Sequence, residues 1–121
     1  MNEIQPDLLW TGNAREARDT QAIFDAGISA VVDLAYEEPP GQLARQLVYC
    51  RFPIVDGAGN DPVLLSLALS TTVELLCNGT RALVACSAGM SRSPTVAICA
   101  LAVYLDQSPE KVLATVNKRS A

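Results

Sequence analysis

The hydrophobic and polar positions of the chain fall into blocks that predict strands and helices in alternation. Three short, largely apolar runs predict strands at 28–35, 47–55 and 81–86. The first is rich in β-branched residues, and we expect the first and the third to be buried. A shorter run at 8–10 predicts a strand at the edge of the same sheet. Because strands alternate with helices, we expect an α/β fold, a three-layer sandwich with helices on both sides of a mostly parallel sheet.

Four segments have the apolar spacing or the terminal signals of helices. They are residues 13–27, 63–77, 94–105 and 108–117. The first opens on Asn13 with Glu16 three residues later, which is typical of a capping box. The third is apolar on almost every face, so we expect it to be central and buried. The last opens on Ser108, a residue suited to cap it.

The composition limits both the size and the chemistry of the protein. A chain of 121 residues fits one domain, which we assign to residues 1–121. Thirteen acidic and nine basic side chains give a net charge of −4, which argues against a nucleic-acid partner. The chain contains no histidine. This excludes Ser-His-Asp and Cys-His hydrolases and zinc sites that use histidine.

The N-terminus and the cysteines indicate the cellular setting. The sequence MNEIQPDLLW has neither the basic nor the apolar region of a signal peptide. The longest apolar stretch, 96–105, is shorter than the ~20 residues that a membrane span needs. The cysteines, Cys50, Cys77, Cys86 and Cys99, form no CxxC pair, so we expect free thiols, buried at 50, 77 and 99. We therefore expect a cytoplasmic protein that binds no membrane.

The segment CSAGMSR, from Cys86 to Arg92, follows a predicted strand and leads into a predicted helix. Successive backbone N–H groups and the positive end of the helix would form an anion site there. Gly89 allows the chain to curl, and Arg92 adds a guanidinium fork suited to two phosphate oxygens. The same groups would lower the pKa of Cys86 and hold a thiolate, which is a nucleophile for phosphoryl transfer.

A phosphocysteine route also needs a proton donor for the leaving group and a base for the attacking water. Without histidine, a carboxylic acid has to take both roles. Asp56 follows a predicted strand and opens the loop 56–62, DGAGNDP, which would bring it over the pocket. Asp61 is the second candidate, but with Pro62 after it we expect it to cap the next helix instead.

These residues resemble those of the dual-specificity phosphatases, a family of cysteine-based protein tyrosine phosphatases. The family signature His-Cys-x5-Arg-Ser/Thr is similar to ACSAGMSRS in this chain. Four other segments resemble the family, in the family's order. They are LLWTGN, DAGISAVVDLA, RFPIVDGAGND and SRSPTVAICALAVYL. The resemblance covers nearly the whole chain and implies a protein tyrosine phosphatase-like fold.

The resemblance implies a role for each matching residue. Cys86 is the expected nucleophile and Asp56 the acid and then the base. Ser93 is expected to hydrogen-bond the sulfur and to help the thiolate to leave. The expected phosphate ligands are the loop amides and one guanidinium. They belong to Ser87, Ala88, Gly89, Met90, Ser91 and Arg92. No metal or cofactor is implied.

One departure from the family pattern bears on activity. Ala85 stands where the family has a histidine that orders the loop and lowers the thiol pKa. We therefore expect the loss to raise the pKa of Cys86 and to shift the pH optimum to the alkaline side.

The residues between Cys86 and Arg92 are uncharged, which argues against multiply phosphorylated inositides as substrates. A short chain without insertions favours a shallow pocket that admits phosphoserine and phosphothreonine as well as phosphotyrosine. We therefore expect a phosphorylated protein as the substrate, with a phosphorylated metabolite or an RNA 5′ phosphate as alternatives.

Two other classes of function stay open at this point. The missing histidine suits a non-catalytic phosphate-binding protein, a pseudophosphatase. A cysteine in an anion-binding loop also suits a sulfurtransferase or an arsenate reductase. A sulfurtransferase would not need Asp56, and an arsenate reductase would need a resolving thiol such as Cys99 near Cys86.

Overall fold

A five-stranded sheet lies at the centre of the computed structural model, which describes residues 1–120. Its strands are β1 (Asn2–Gln5), β2 (Leu9–Gly12), β3 (Ala30–Ala35), β4 (Val48–Ile54) and β5 (Ala82–Ala85). Their spatial order is β1-β2-β5-β3-β4. β1 runs antiparallel to β2, whereas all the other neighbours pair in parallel. The predicted mostly parallel α/β sheet is therefore confirmed.

Helices cover both faces of this sheet. They are a 3₁₀ turn (Glu16–Arg18), α1 (Thr20–Asp25), α2 (Pro62–Cys77), α3 (Arg92–Leu105) and α4 (Pro109–Ser120). Neighbouring residues of a strand point to opposite faces. Val32 accordingly packs in the cluster shared with α2, α3 and α4, and Val31 packs in the cluster shared with α1. The sheet is the middle of three layers, as predicted.

The first part of the chain departs from the prediction. β2 is not an edge strand, because its four residues are buried between β1 and β5. The edge strand is β1, whose polar sequence NEIQ buries only Ile4 and contains no apolar run. The single helix predicted at 13–27 is also wrong. Asn13 and Glu16 do exchange two hydrogen bonds of 2.9 Å, but only a 3₁₀ turn follows, because Asp19 caps a separate α1.

The later elements lie close to their predicted positions. α4 begins after Ser108, whose Oγ accepts a hydrogen bond of 3.2 Å from the Lys111 amide as a cap. α3 begins at Arg92, before the predicted residue 94. The prediction that α3 is buried all round is wrong for its outer side, where Val103 is exposed.

All four cysteines are free, as expected. Cys77 is exposed, contrary to the expectation of a buried thiol, because it is the last residue of α2. Cys50 and Cys99 are half-buried. Within residues 1–120, no helix has the length and apolar character that crossing a membrane requires.

Candidate active site

A segment that we call the cysteine loop (residues 86–92) lies at the carboxyl ends of the parallel strands β2, β5 and β3. The loop follows β5 and leads into α3. β5 lies between β2 and β3, with Ala85 paired with Gly12 on one side and with Asp33 on the other. Ligand sites of parallel α/β sheets form at this position, beyond the ends of the strands.

The end of β2 supports the cysteine loop. The Cys86 amide donates to the Gly12 carbonyl at 3.3 Å, and the Ala14 amide donates to the Ser87 carbonyl at 3.2 Å. Gly89 has a φ of +74°, and a Cβ at this position would lie 2.9 Å from backbone atoms of Gly12. The loop therefore requires glycine here, both for its conformation and for the close approach of the two backbones.

Cys86 lies at the base of the loop and is only 2 % exposed. The Gly89 amide donates to its Sγ at 3.2 Å, and Ser93 Oγ lies 3.4 Å from the same sulfur. Burial by itself raises the pKa of this thiol, but hydrogen bonds from the Ser93 hydroxyl and from backbone amides outweigh it, so the pKa lies below that of an ordinary thiol. Despite Ala85, the thiol is therefore more acidic than an ordinary cysteine.

The Arg92 side chain is buried and largely paired. Its Nη1 donates to Glu37 Oε1 at 2.6 Å and to the Ile54 carbonyl at 2.8 Å, and its Nη2 donates to Glu37 Oε2 at 2.8 Å. The bond to Glu37 is the main cause that raises the pKa of Arg92. Its buried Nε has no partner within residues 1–120. The edge formed by Nε and the second Nη2 proton, which we call the open edge, has no partner within residues 1–120 and so keeps two donors for an anion.

Glu37 belongs to a segment between β3 and β4 that we call the glutamate loop (residues 36–41). The hydrogen bonds from Arg92 are the main cause that lowers the pKa of Glu37 to about 2. The next residue, Glu38, accepts a hydrogen bond of 2.7 Å from Ser87 Oγ. Two consecutive carboxylates therefore contact the cysteine loop near its start and at its end.

Side chains from other elements hold the glutamate loop in place. Arg18 and Arg51 donate to backbone carbonyls of this loop at 2.7 and 2.9 Å. The Tyr49 hydroxyl accepts a hydrogen bond of 2.9 Å from the Gly41 amide and donates to the buried carboxylate of Asp33. The two glutamates are therefore presented by a loop whose backbone is fixed at several points.

Asp56 lies in a segment that we call the aspartate loop (residues 55–60). Its Oδ1 accepts a hydrogen bond of 2.8 Å from Ser91 Oγ of the cysteine loop. Asp56, Ser91 and Arg92 line a cavity of about 310 Å³, and Leu65 forms part of its apolar wall. The predicted acid therefore stands beside the predicted anion site.

The structure separates the two candidate acids. Asp61 Oδ1 accepts a hydrogen bond of 2.9 Å from the Val63 amide and caps α2, which has Pro62 in its first turn. Asp61 is a helix cap, as expected, and of these two aspartates Asp56 is the one that contacts the cysteine loop.

The predicted site residues all lie in or against the cysteine loop. The predicted catalytic residues are Cys86, Ser93, Arg92 and Asp56. The predicted phosphate-binding residues, which form the loop itself, are Ser87, Ala88, Gly89, Met90, Ser91 and Arg92. Ala88 and Met90 make no hydrogen bond to any other group within residues 1–120. Their backbone amides are therefore available to a ligand.

Glu37 and Glu38 are site residues that sequence reasoning missed, although a signal for them exists. An acidic pair begins two residues after the end of the strand β3, which lies next to β5 in the sheet. Since neighbouring parallel strands end at the same edge, such a pair belongs beside the cysteine loop. Asn60, which bonds only within its own loop, carries no comparable signal.

The fold is that of a known class of protein. The chain has the fold of the dual-specificity phosphatases, within the cysteine-based protein tyrosine phosphatase superfamily, and the predicted resemblance is confirmed. No match was found among protein-family models or among curated proteins.

Three solved structures illustrate this likeness. Human DUSP28 has a TM-score of 0.82 and 24 % identity, over 98 % of this chain and 82 % of its own. A mouse protein described as a dual specificity phosphatase, complexed with zinc tungstate, has a TM-score of 0.81 and 27 % identity, over 96 % and 72 %. The human tyrosine phosphatase-like serine/threonine/tyrosine-interacting protein has a TM-score of 0.80 and 21 % identity, over 98 % and 82 %.

Proposed function

We propose that this protein is a metal-independent phosphatase that hydrolyses phosphomonoesters of proteins through a phosphocysteine intermediate. Its fold supports function as a phosphatase or as a pseudophosphatase. The environment of Cys86 favours a phosphatase over a pseudophosphatase. Hydrogen bonds lower the pKa of this buried thiol, and the open edge of the Arg92 guanidinium has no protein partner within residues 1–120. A thiolate held in this way is a nucleophile rather than only a binding group.

In the first step, the phosphate of the substrate occupies the cysteine loop. The amides of Ala88 and Met90 and the open edge of Arg92 donate hydrogen bonds to its oxygens. Cys86 Sγ attacks phosphorus, so that an S–P bond forms while the P–O bond to the leaving group breaks. Asp56 donates its proton to the leaving oxygen, and the alcohol departs as a neutral molecule.

In the second step, water hydrolyses the phosphocysteine. Asp56, now ionised, accepts a proton from the water as the water oxygen attacks phosphorus, and the S–P bond breaks. The Ser93 hydroxyl, 3.4 Å from Sγ, stabilises the departing thiolate. Inorganic phosphate is released, and the proton is again on Asp56.

The open shape of the site supports phosphorylated protein side chains as substrates. Met90 in the cysteine loop is 83 % exposed, and Tyr36 in the glutamate loop is 61 % exposed. Neither side chain is packed into a wall that would deepen the pocket. A site of this shape suits the short side chains of phosphoserine and phosphothreonine as well as phosphotyrosine.

The alternative function is that of a pseudophosphatase, which binds phosphorylated ligands without turnover. Ala85 in place of histidine favours it, as does the likeness to a human tyrosine phosphatase-like interacting protein. The position of Asp56 favours a phosphatase, because this carboxylate contacts the cysteine loop and a protein that only binds phosphate has no use for a proton donor. The same contact disfavours a sulfurtransferase.

Release of phosphate from phenyl phosphate, an aryl phosphate whose leaving group needs a proton, tests the proposal when it is measured in EDTA. We expect turnover that vanadate inhibits, that Cys86→Ser abolishes and that Asp56→Asn lowers by about 10²–10⁴-fold in kcat. Cys77→Ser is the matched control, because this exposed thiol lies outside the site. Full activity of Cys86→Ser would refute the mechanism. Phosphopeptide binding without any burst phosphorylation of Cys86 would establish the pseudophosphatase instead.

A further inference from the structure

Ser91 has the position of a helix cap but does not act as one. It is the residue that precedes α3, and its side chain makes no capping hydrogen bond. Serine is favoured at this position because its oxygen can accept a hydrogen bond from an amide in the first turn. Ser108 shows the ordinary behaviour before α4, where its Oγ accepts from the Lys111 amide at 3.2 Å. Pro94 stands three residues after Ser91, where α4 has Lys111, and proline has no N–H to donate. The Ser91 hydroxyl is therefore left for a partner outside its helix.

That partner is Asp56, which lies 35 residues away along the chain. Ser91 Oγ donates to Asp56 Oδ1 at 2.8 Å, so this oxygen is occupied and Oδ2 is the one that can carry the proton. The backbone of Ser91 is itself fixed, because its carbonyl accepts hydrogen bonds from the Thr95 amide at 3.1 Å and from the Thr95 hydroxyl at 2.7 Å. The hydroxyl is thus held on a rigid helix start.

Asn60 fixes the backbone on either side of Asp56. Its Oδ1 accepts from the Val55 amide at 2.8 Å, and its Nδ2 donates to the Val55 carbonyl at 2.8 Å and to the Gly57 carbonyl at 3.4 Å. One side chain therefore binds the residue before the aspartate and the residue after it. Hydrogen bonds within the aspartate loop therefore fix its backbone on both sides of Asp56.

We propose that Ser91 and Asn60 are positioning residues for Asp56, Asn60 by fixing the loop backbone and Ser91 by orienting the carboxylate over the cysteine loop. The inference rests on the proposed function, in which Asp56 is the proton donor. Positioning of this kind matters because an acid displaced by about 1 Å loses up to about 10²-fold in rate.

The test compares substrates with different leaving groups. An alkyl phosphate needs a proton at its leaving oxygen, whereas 4-nitrophenyl phosphate needs it far less. We compare kcat/KM, which covers only the steps up to formation of the phosphocysteine and so leaves out the second role of Asp56. We expect Ser91→Ala and Asn60→Ala to lower kcat/KM for an alkyl phosphate by about 10–100-fold more than kcat/KM for 4-nitrophenyl phosphate. Ser91→Thr, which keeps a hydroxyl, should restore most of the loss.

Ser108→Ala is the matched control for the loss of a serine before a helix. Ser108 does cap its helix, so the variant should lower the melting temperature and leave the ratio of the two kcat/KM values unchanged. Ser91→Ala loses no cap bond, so it should melt close to wild type while changing that ratio. Asn60→Ser is a second variant, should Asn60→Ala fold poorly.

A double-mutant cycle separates failure of this inference from failure of the proposed function. Ser91→Ala added to Asp56→Asn should cause no further loss with the alkyl phosphate, because the group to be positioned is already gone. A further loss of full size would overturn the positioning role, and so would an equal effect of Ser91→Ala on both substrates. If Asp56→Asn itself affected both substrates equally, the assignment of the proton donor would be wrong.

Discussion

The glutamate loop and the aspartate loop both contact the cysteine loop, but they are held in different ways. The glutamate loop is fixed by side chains outside it, Arg18 from the 3₁₀ turn and Tyr49 and Arg51 from β4. The aspartate loop is held by its own Asn60 and by the hydroxyl of Ser91. The glutamate loop is thus anchored to the surrounding elements. The aspartate loop is held mainly by hydrogen bonds of its own, and Asp56 contacts the cysteine loop through the hydroxyl of Ser91.

The difference matches the tasks that the two loops have in the proposed mechanism. Glu37 orients a guanidinium that stabilises the phosphate in both steps, and such a group acts best when it is fixed in advance. Asp56 gives a proton to one oxygen and later takes a proton from another. A carboxylate with one oxygen held and the other free can serve both positions.

Among the variants that test this comparison of the two loops, Glu37→Gln should have the largest effect. Glutamine can accept only one hydrogen bond from Arg92 and carries no charge, so the guanidinium loses its fixed orientation. We expect kcat/KM to fall by about 10–100-fold, equally for good and poor leaving groups. Glu38→Gln is the control, since it leaves the pair intact and should cost less. A loss that grows with the pKa of the leaving group would contradict the division of tasks between the loops.

Tyr49→Phe should weaken the framework of the glutamate loop. The variant removes the acceptor of the Gly41 amide and a donor to the buried Asp33 carboxylate. We expect the free energy of unfolding, measured with urea, to fall by about 1–3 kcal/mol. Tyr36→Phe alters the exposed tyrosine of the same loop and should have little effect. Equal stability of the two variants would show that the loop does not depend on this anchor.

A pair of glycine variants compares the backbones of the two loops. Gly57 in the aspartate loop has a φ of +98° and open space where a Cβ would lie, so alanine there is strained without any clash. We expect Gly57→Ala to lower the free energy of unfolding by about 1–2 kcal/mol. Gly41 in the glutamate loop lies outside the positive-φ region and an added Cβ would meet only ordinary contacts at 3.7 Å. Gly41→Ala should be neutral or slightly stabilising, and the reverse order would contradict the comparison.

The smallest effect concerns stability in acid. The pKa of Glu37 is about 2 in the folded protein, below its ordinary value of 4.5. Its pair with Arg92 therefore stabilises the fold fully above about pH 4.5, and this contribution is lost as the pH falls toward 2. Wild type should lose more stability than Glu37→Gln over that range, by a small amount because the carboxylate is half-exposed. If the stabilities of wild type and Glu37→Gln diverged only between pH 6 and 8, a group other than Glu37 would be responsible for the pH dependence.

Much of the fold could be predicted because its signals are local. β5 is a continuous apolar run, and β3 is apolar except for Asp33. The helix after Asp61 has its cap and its apolar spacing within a few residues. β1 could not be predicted, because its polar sequence becomes a strand only by pairing with β2. The early helix was misplaced because a second capping residue, Asp19, competes with Asn13.

The same distinction applies to the candidate site. Cys86 and Arg92 lie in one continuous segment, so their spacing and their place between a strand and a helix could be read directly. The bond between Arg92 and Glu37 joins residues 55 positions apart, and it depends on which strand lies next to β5. Strand order is a property of the whole sheet, and no local pattern in this chain specifies it.

Ala85 has a consequence for attempts to engineer the family's histidine into this chain. The residue is 1 % exposed and packs with Trp10 and Leu83 on the α1 face, whereas Cys86 belongs to the cluster on the opposite face. An imidazole at this position would overfill the α1 cluster, at a cost of about 1–3 kcal/mol, and would bring ring nitrogens that need partners. A single substitution to histidine should therefore destabilise the fold, and smaller neighbours in the α1 cluster should reduce that cost.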